Sequence, residues 1–268
     1  MSKETLKITK EIETGITPEI LQNRIKNFWG YGNLESPVWI VGMEEGFHSI
    51  DVEVDRKMLE RQFLLPTVNG MFDARRPIDS NYSDLTNLSP FLPSAGPRPQ
   101  STWKFPIMLY LFFRDEEHPS EDKILDFQRF VLADGEKNEM ATLELSPLPS
   151  PNINSWLFTD VARFETRKSY ERAYQKQRSK GLRDLVQKYS LTLKLVIFYS
   201  ANKKTHLPIW AEAIGKVSDE LTEITHQMYF EKINKTSFCI IPQNHRGSMT
   251  PARLYEYAEK IKDQISIF

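Results

Sequence analysis

Two adjacent carboxylates follow the first strongly apolar segment of the chain. Residues 38–47 read VWIVGMEEGF, so four apolar residues lead almost directly into Glu44 and Glu45. A carboxylate at such a place can orient a water molecule as a general base or stabilise positive charge in a transition state. Gly42 and Gly46 on either side allow a sharp turn and a close approach of a ligand to the backbone. The alternative is a solvated turn.

Two further segments resemble this one in following a short apolar run. Residues 146–151 read SPLPSP after the run 141–145, and residues 242–248 read PQNHRGS after the run 237–241. In open α/β sheets, binding sites form where loops leave the carboxyl ends of the strands. The second segment contains His245 and precedes a helix start at Thr250, which suits binding of an anion such as phosphate. The alternative for SPLPSP, taken alone, is a rigid turn. The alternative for His245, taken alone, is a residue of a surface loop.

The elements that would position these segments alternate along the chain. Strands are predicted at residues 38–41, 141–145, 193–199 and 237–241, and helices at 20–29, 58–65, 103–113, 121–132, 163–187, 207–214 and 250–265. Short apolar strands between helices predict an α/β fold with an open, mainly parallel sheet and helices on both faces. We expect a single domain over residues 1–268, with a short N-terminal extension and a long Pro-rich loop at 66–99.

The composition limits the classes of protein. The chain has 268 residues, 40% of them hydrophobic, which suffices for a globular core. Its single cysteine, Cys239, excludes an internal disulfide and a cysteine-based zinc site. No apolar signal segment or membrane span stands out in the sequence, so we expect a cytoplasmic protein that does not bind membranes and is a monomer.

A net charge of −1 means that binding to nucleic acid depends on a local basic patch. Segment 163–183 is the clearest one, with basic residues at 163, 167, 168, 172, 176, 178, 180 and 183, two acidic residues, and Tyr170 and Tyr174 between them. Such a segment can follow a phosphate backbone, or it can be an ordinary solvated helix face. Arg75, Arg76 and Arg98 are further basic candidates.

The order and spacing of these motifs resemble the uracil-DNA glycosylase superfamily. Its first motif takes forms such as GQDPY, GMNPG, GINPG or GEAPG, with which strand-GMEEG is compared, and strand-SPLPSP and strand-NHRGS follow in the same order. The runs GYGNLESPVWIVGMEEG, PQSTWKFPIMLYLFF and LELSPLPSP also resemble bacterial members of that superfamily, and the resemblance extends over residues 27–256. It implies a three-layer αβα sandwich with a central, mainly parallel four-stranded sheet. The implied activity is metal-free hydrolysis of the N-glycosidic bond of a flipped base in DNA, leaving an abasic site.

The resemblance also implies roles for individual residues. Glu44 would be the water-activating carboxylate, with Glu45 as the second candidate, and His245 would stabilise the departing base or contact phosphate. The base would lie against residues of the first and second motifs, namely Gly42, Met43, Phe47 and Glu144, with Met71 and Phe72 as weaker stacking candidates. DNA would be contacted by Ser146, Pro147, Arg246, Gly247 and Ser248, and by Arg167 and Lys168 of the basic segment.

Two positions depart from the family pattern. Glu144 replaces an Asn that reads uracil, and because an ionised Glu only accepts hydrogen bonds, it favours an amino-bearing base such as a modified cytosine. The alternative for Glu144 is a salt bridge. Pro242 stands where the family usually has His, which leaves the role of His245 open. The enzyme would serve DNA repair or defence against phages with modified DNA; the other hypotheses are a DNA- or nucleotide-binding protein without catalysis, and a Mg²⁺-dependent nuclease using Glu44 and Glu45.

Overall fold

The computed structural model describes residues 16–46, 59–60, 63, 67–72, 98–115, 118–150, 156–243 and 249–265. Within these residues one sheet contains eight strands: β1 (Gly30–Tyr31), β2 (Val38–Gly46), β3 (Met71–Phe72), β4 (Met140–Ser150), β5 (Leu195–Tyr199), β6 (Glu223–Thr225), β7 (Met228–Ile233) and β8 (Thr236–Ile241). The helices are α1 (Pro18–Asn27), α2 (Ser101–Asp115), α3 (Glu121–Phe130), α4 (Arg167–Lys188), α5 (Leu207–Ala213) and α6 (Pro251–Ile261). The fold class is therefore α/β, as predicted.

The sheet is wider than predicted, and it is mixed. Its strand order is β3-β1-β4-β2-β5-β8-β7-β6. The four central strands β4, β2, β5 and β8 run parallel to one another, and they are the four that the apolar segments predict. β1 is antiparallel to β4, and β7 is antiparallel to both β6 and β8. The prediction of a four-stranded, mainly parallel sheet is therefore wrong, since the described residues form eight strands with both kinds of pairing.

The strands that the sequence did not reveal are short or belong to hairpins. β1 and β3 have two residues each, which is too short for a periodic pattern. β7 and β8 are joined by a tight turn in which Asn234 has a φ of 55°, the left-handed conformation that Asn tolerates in hairpin turns. β6 and β7 are joined in a similar way at Gln227, whose φ is 59°. These strands extend both edges of the parallel core.

Alternating side chains of the central strands fill a core on each face of the sheet. On β2, Val38 and Ile40 belong to one core, and Trp39 and Val41 belong to the other. The first core is covered by residues of α2, α3 and α6, and the second by residues of α4 and α5. A parallel strand covered on both faces reads as a continuous apolar run, which is why VWIV was recognisable as a strand. Helices thus flank the sheet on both sides.

β2 and β4 continue past the points where the sequence predicts loops. β2 extends through Gly46 and β4 through Ser150, so GMEEG and SPLPS are paired strand segments and the prediction of loops there is wrong. Gly42 pairs with Glu144, and the register then shifts between Glu44 and Gly46. The prolines of SPLPS lack an N–H, but β1 pairs with β4 only at residues 142 and 143, so beyond them β4 has β2 as its described neighbour.

Helix starts agree with the capping chemistry of the sequence. The hydroxyl of Thr250 accepts a hydrogen bond from the N–H of Arg253 at 3.3 Å, which confirms Thr250 as the N-cap of α6. The helix predicted from Arg163 begins at Arg167, because Arg163 has a φ of 75° and Thr166 forms a capping box with Ser169. Of the predicted loop at 66–99, residues 73–97 lie outside the described residues. None of the described helices combines the length and apolar character needed to cross a bilayer.

Candidate functional site

The candidate site lies where β5 ends beside the middle of β2. β2 and β5 are neighbours in the sheet. The next central strand after β2 in the chain, β4, lies on the side of β2 away from β5, and the next after β5, β8, lies on the side of β5 away from β2. Such a reversal opens a crevice at the carboxyl ends of the strands, which is where ligands bind in open α/β sheets. Val41 pairs with Phe198, so Gly42 and Tyr199 are the next residues at this place. β2 and β4 then continue beyond the end of β5.

Glu44 forms a two-pronged ion pair with Arg167, the first residue of α4. Nη1 of Arg167 donates to Oε2 of Glu44 at 2.5 Å, and Nη2 donates to Oε1 at 3.1 Å. Both side chains are largely buried, with exposed fractions of 20% for Glu44 and 19% for Arg167. The guanidinium also lies 5.5 Å from the ring centre of Trp156. Each oxygen of the Glu44 carboxylate therefore accepts a hydrogen bond from Arg167.

A buried tyrosine connects α4 to the end of β4. The hydroxyls of Tyr170 and Ser146 are 3.0 Å apart, and the ring of Tyr170 stacks on Trp156 with centroids 5.3 Å apart. Burial raises the pKa of Tyr170 to about 12, so its hydroxyl stays protonated at neutral pH. Ser146 pairs with Glu44 across β2 and β4. Glu44, Arg167, Ser146, Tyr170 and Trp156 thus form one continuous polar and aromatic cluster.

Glu144 is buried beside the end of β5. Its exposed fraction is 3%, and it pairs with Gly42 on β2. A Cβ built on Gly42 would lie 2.1 Å from the hydroxyl oxygen of Tyr199 and 2.8 Å from Oε2 of Glu144. Both oxygens therefore occupy the space that a side chain at position 42 would need. The carboxylate of Glu144 and the phenol of Tyr199 thus both lie against the backbone of Gly42.

Two buried arginines hold the backbone of β4 near its end. Arg178 donates to the carbonyl oxygens of Glu144 at 2.8 Å, Leu145 at 2.9 Å and Ile25 at 3.0 Å, and its guanidinium lies 3.6 Å from the ring centre of Trp29. Burial lowers the pKa of Arg178 to about 9, so the group still carries its charge at neutral pH. The other arginine is Arg24, whose Nε donates to the carbonyl of Pro147 at 3.4 Å. Arg178 is therefore a structural member of the basic segment.

A serine and a histidine lie at the end of β5. Ser200 is buried and has a φ of 113°, which is unusual for a residue other than glycine. Its hydroxyl is hydrogen-bonded to Nδ1 of His206, and its carbonyl accepts from the indole of Trp210 at 2.9 Å. Burial lowers the pKa of His206, so the imidazole is neutral at pH 7. The pair fixes the path of the chain from β5 to α5.

The structure brings together some of the predicted residues. Arg167 contacts Glu44, and the other residues brought together lie on the paired strands β2 and β4, namely Gly42, Met43, Glu44, Glu144, Ser146 and Pro147. Met43 is half-buried against the second core, Pro147 is buried, and Lys168 is exposed. The stacking candidates Met71 and Phe72 lie in β3 and are buried. The side chain of Met71 belongs to the second core and that of Phe72 to the first. Phe47, His245, Arg246, Gly247 and Ser248, and the side chain of Glu45, lie outside the described residues.

Sequence reasoning missed Tyr199, Ser200, His206 and Trp156. The signal for the first three was present, because residues 199–206 read YSANKKTH directly after the apolar run of β5. The same rule that singled out the segments after the other three strands applies to this one. Trp156 follows SPLPSP closely, but its relation to the site comes from its contacts with Tyr170 and Arg167, which no local pattern indicates. Among the described residues, no group of three or more His, Cys, Asp or Glu side chains is arranged to hold a metal ion.

No family model matches the chain, and no similar curated protein or solved structure was found. The resemblance to the uracil-DNA glycosylase superfamily therefore stays a prediction from the motifs.

Proposed function

We propose that the protein is a DNA glycosylase of the uracil-DNA glycosylase type, with the three-layer αβα arrangement of that superfamily. The observation that carries this proposal is the placement of two carboxylates on the neighbouring parallel strands β2 and β4, in the part of these strands that continues beyond the last pairing of β2 with β5. Glu144 is opposite Gly42, and Glu44 follows two residues further along β2. A flipped nucleotide in this crevice would have one carboxylate for its base and another for the water that attacks its sugar.

The proposed reaction is hydrolysis at the sugar carbon C1′. The bond between C1′ and the base nitrogen breaks, the base leaves with the electron pair, and water adds to C1′ while Glu44 accepts its proton. Arg167 hydrogen-bonds to both oxygens of Glu44, so Glu44 acts as a base after giving up one of these bonds. Glu45 is the second candidate for the same role. The products are a free base and an abasic site.

Glu144 is proposed to select the base. Its carboxylate accepts hydrogen bonds, so it favours the exocyclic amine of a cytosine-type base over uracil. The hydroxyl of Tyr199 next to it is both donor and acceptor, and it would have to turn away from Gly42 as the base enters. A modified cytosine is therefore the proposed substrate, in DNA repair or in defence against phage DNA.

The test is release of a free base in single turnover. Oligonucleotides carrying uracil, cytosine or modified cytosines are incubated with excess protein, with and without a chelator, and the free base and alkali-labile sites are measured. Glu44→Gln should reduce the rate by about 10²- to 10⁴-fold, the range for loss of a general base. Glu256→Gln, on α6 and paired with Lys260, is the matched control and should leave the rate unchanged.

Selection of the base needs its own pair of variants. Glu144→Gln places a donor and an acceptor at the base edge, so preference should shift toward uracil, whereas Glu144→Ala should slow every substrate. Strand breaks that need no alkali and disappear with chelator would instead indicate a nuclease.

The second candidate function is DNA or nucleotide binding without catalysis. The ion pair of Glu44 with Arg167 favours it, since a carboxylate used to hold α4 against β2 is not available as a base. Retention of labelled DNA without any released base would support this function and reject the first.

A further inference from the structure

The basic segment of α4 contains residues with different roles. α4 has eight basic residues and two acidic ones. Arg167 is paired with Glu44, and Arg178 is buried on backbone carbonyls. Four others, Lys168, Arg172, Lys176 and Lys180, occur at every fourth position and are all exposed. We call these four the α4 cation ridge.

All four members of the α4 cation ridge are exposed, and the two acidic residues of the same helix are Glu171 and Asp184. Within the part of the chain that the structure describes, none of the four forms a salt bridge or a side-chain hydrogen bond; the ion pairs there involve other residues. Like charges four residues apart on a helix repel each other and destabilise it. The ridge contains three such pairs in succession. A polyanion that binds along the ridge would remove this repulsion.

The spacing of the ridge fits a nucleic-acid backbone. At a rise of 1.5 Å per residue, the four side chains are about 6 Å apart along the axis and extend over roughly 18 Å. A strand of DNA has one phosphate per 3.4 Å of helix axis, so the ridge is as long as about five phosphates. Rows of residues four apart incline to the helix axis by about 26°, so the charges form one continuous line.

The ridge also leads to the candidate site. Its first member, Lys168, is adjacent to Arg167, whose guanidinium holds Glu44. The chain as a whole has a net charge of −1, so this row of cations is a local concentration of positive charge in a chain that is nearly neutral overall. A strand lying along α4 would therefore arrive at the ends of β2 and β4.

We infer that the α4 cation ridge binds the sugar-phosphate backbone of the DNA strand whose nucleotide enters the candidate site. The inference rests on the proposed function for the identity of the polymer. The backbone contacts are independent of base identity and of catalysis. Lys176 and Lys180 are at the end of the ridge distant from Glu44, so they contribute to affinity and not to the chemical step.

The experiment compares two double variants. K176Q/K180Q removes two charges from the ridge, and K235Q/K260Q removes two exposed charges from the turn between β7 and β8 and from α6. Affinity for a fluorescent 20-nucleotide DNA, single-stranded and duplex, is measured by anisotropy from about 50 to 400 mM salt. Loss of two phosphate contacts should reduce the slope of log Kd against log salt by about 1.8 for duplex and about 1.4 for a single strand. The control should keep the slope of the original protein.

The outcomes separate this inference from the proposed function. If K176Q/K180Q leaves the slope of log Kd against log salt unchanged, the inference that the ridge binds the DNA backbone is overturned, even if a base is released. A reduced slope without release of any base supports the ridge and rejects the glycosylase. If both hold, the excision rate of K176Q/K180Q at saturating DNA should equal that of the original protein. Both double variants should melt at or near the original temperature, since the substituted side chains are exposed.

Discussion

The ion pair between Glu44 and Arg167 is open to a direct measurement of its energy. The perturbation is a double-mutant cycle of Glu44→Ala and Arg167→Ala, with the free energy of unfolding measured in urea for all four proteins. Unit charges about 4 Å apart attract by about 1 kcal/mol in water and about 4 kcal/mol at an effective dielectric constant of 20. Both side chains are about one-fifth exposed, which places the pair between these limits. Desolvation offsets part of the attraction, and we expect a coupling of about 2 kcal/mol.

A matched cycle makes this result specific. Lys168 is next to Arg167 in sequence but exposed and without a contact to Glu44 among the described residues, so the cycle of Glu44→Ala with Lys168→Ala should give a coupling near zero. A Glu44–Arg167 coupling below about 0.5 kcal/mol, the value of an ordinary surface pair, would refute the buried two-pronged contact. Glu44 would then be free for another role. A full coupling together with undiminished base release in Glu44→Ala would show that the pair is structural and would leave Glu45 as the candidate base.

Three further predictions concern the surroundings of the site. Arg178→Met should lower the free energy of unfolding in urea by about 3 kcal/mol, because three carbonyl oxygens lose a donor at 2.8 to 3.0 Å, and a loss below about 1 kcal/mol would contradict these contacts. Ser200→Gly should be more stable than Ser200→Ala by about 1 kcal/mol in thermal or urea unfolding. Both variants lose the hydrogen bond to His206, but only glycine adopts the positive φ without strain. Equal stabilities of the two variants would count against that backbone conformation. The pKa of His206 is lowered in the folded state, so the unfolded chain binds the proton first as pH falls below about 6.5, and stability decreases there. Urea unfolding at pH 7.5 and 5.5 should show a smaller loss in His206→Asn, and an equal loss would exclude His206 as the cause.

The central strands could be predicted because each one is buried on both faces. VWIV and LVIFY are continuous apolar runs, which are typical of parallel strands covered on both faces. Both were predicted as strands, and they form β2 and β5. The edge strands could not be predicted, because two or three residues carry no period. GMEEG and SPLPS were interpreted as loops because glycine and proline usually end strands. Beyond residue 143, β4 pairs with β2 only among the described strands, and a strand paired on one side can contain glycine and proline. Which neighbours a strand has cannot be read from its own sequence.

Several residues of the candidate site could be named from the sequence, but their partners could not. Glu44 was singled out because it follows an apolar run, and Glu144 because the family resemblance aligns it with the Asn that reads uracil; the two lie on the neighbouring strands β2 and β4. The pairing of Glu44 with Arg167 joins residues distant in sequence, and no local pattern indicates it. Arg178 looks like any other cation of its segment. Only its contact with the ring of Trp29 and three carbonyls distinguishes it from the exposed residues around it.

Position 42 and position 199 can change only in a particular order. The phenol of Tyr199 occupies the volume of the missing side chain at Gly42, and a Cβ there would lie 2.1 Å from its oxygen. A chain that acquires alanine at position 42 first must displace Tyr199 and disturb Glu144. A chain that first acquires leucine at position 199 creates room that alanine at 42 can then fill. Two routes to the same double substitution thus differ in viability, and a library that randomises both positions should recover the pair far more often than alanine at 42 alone.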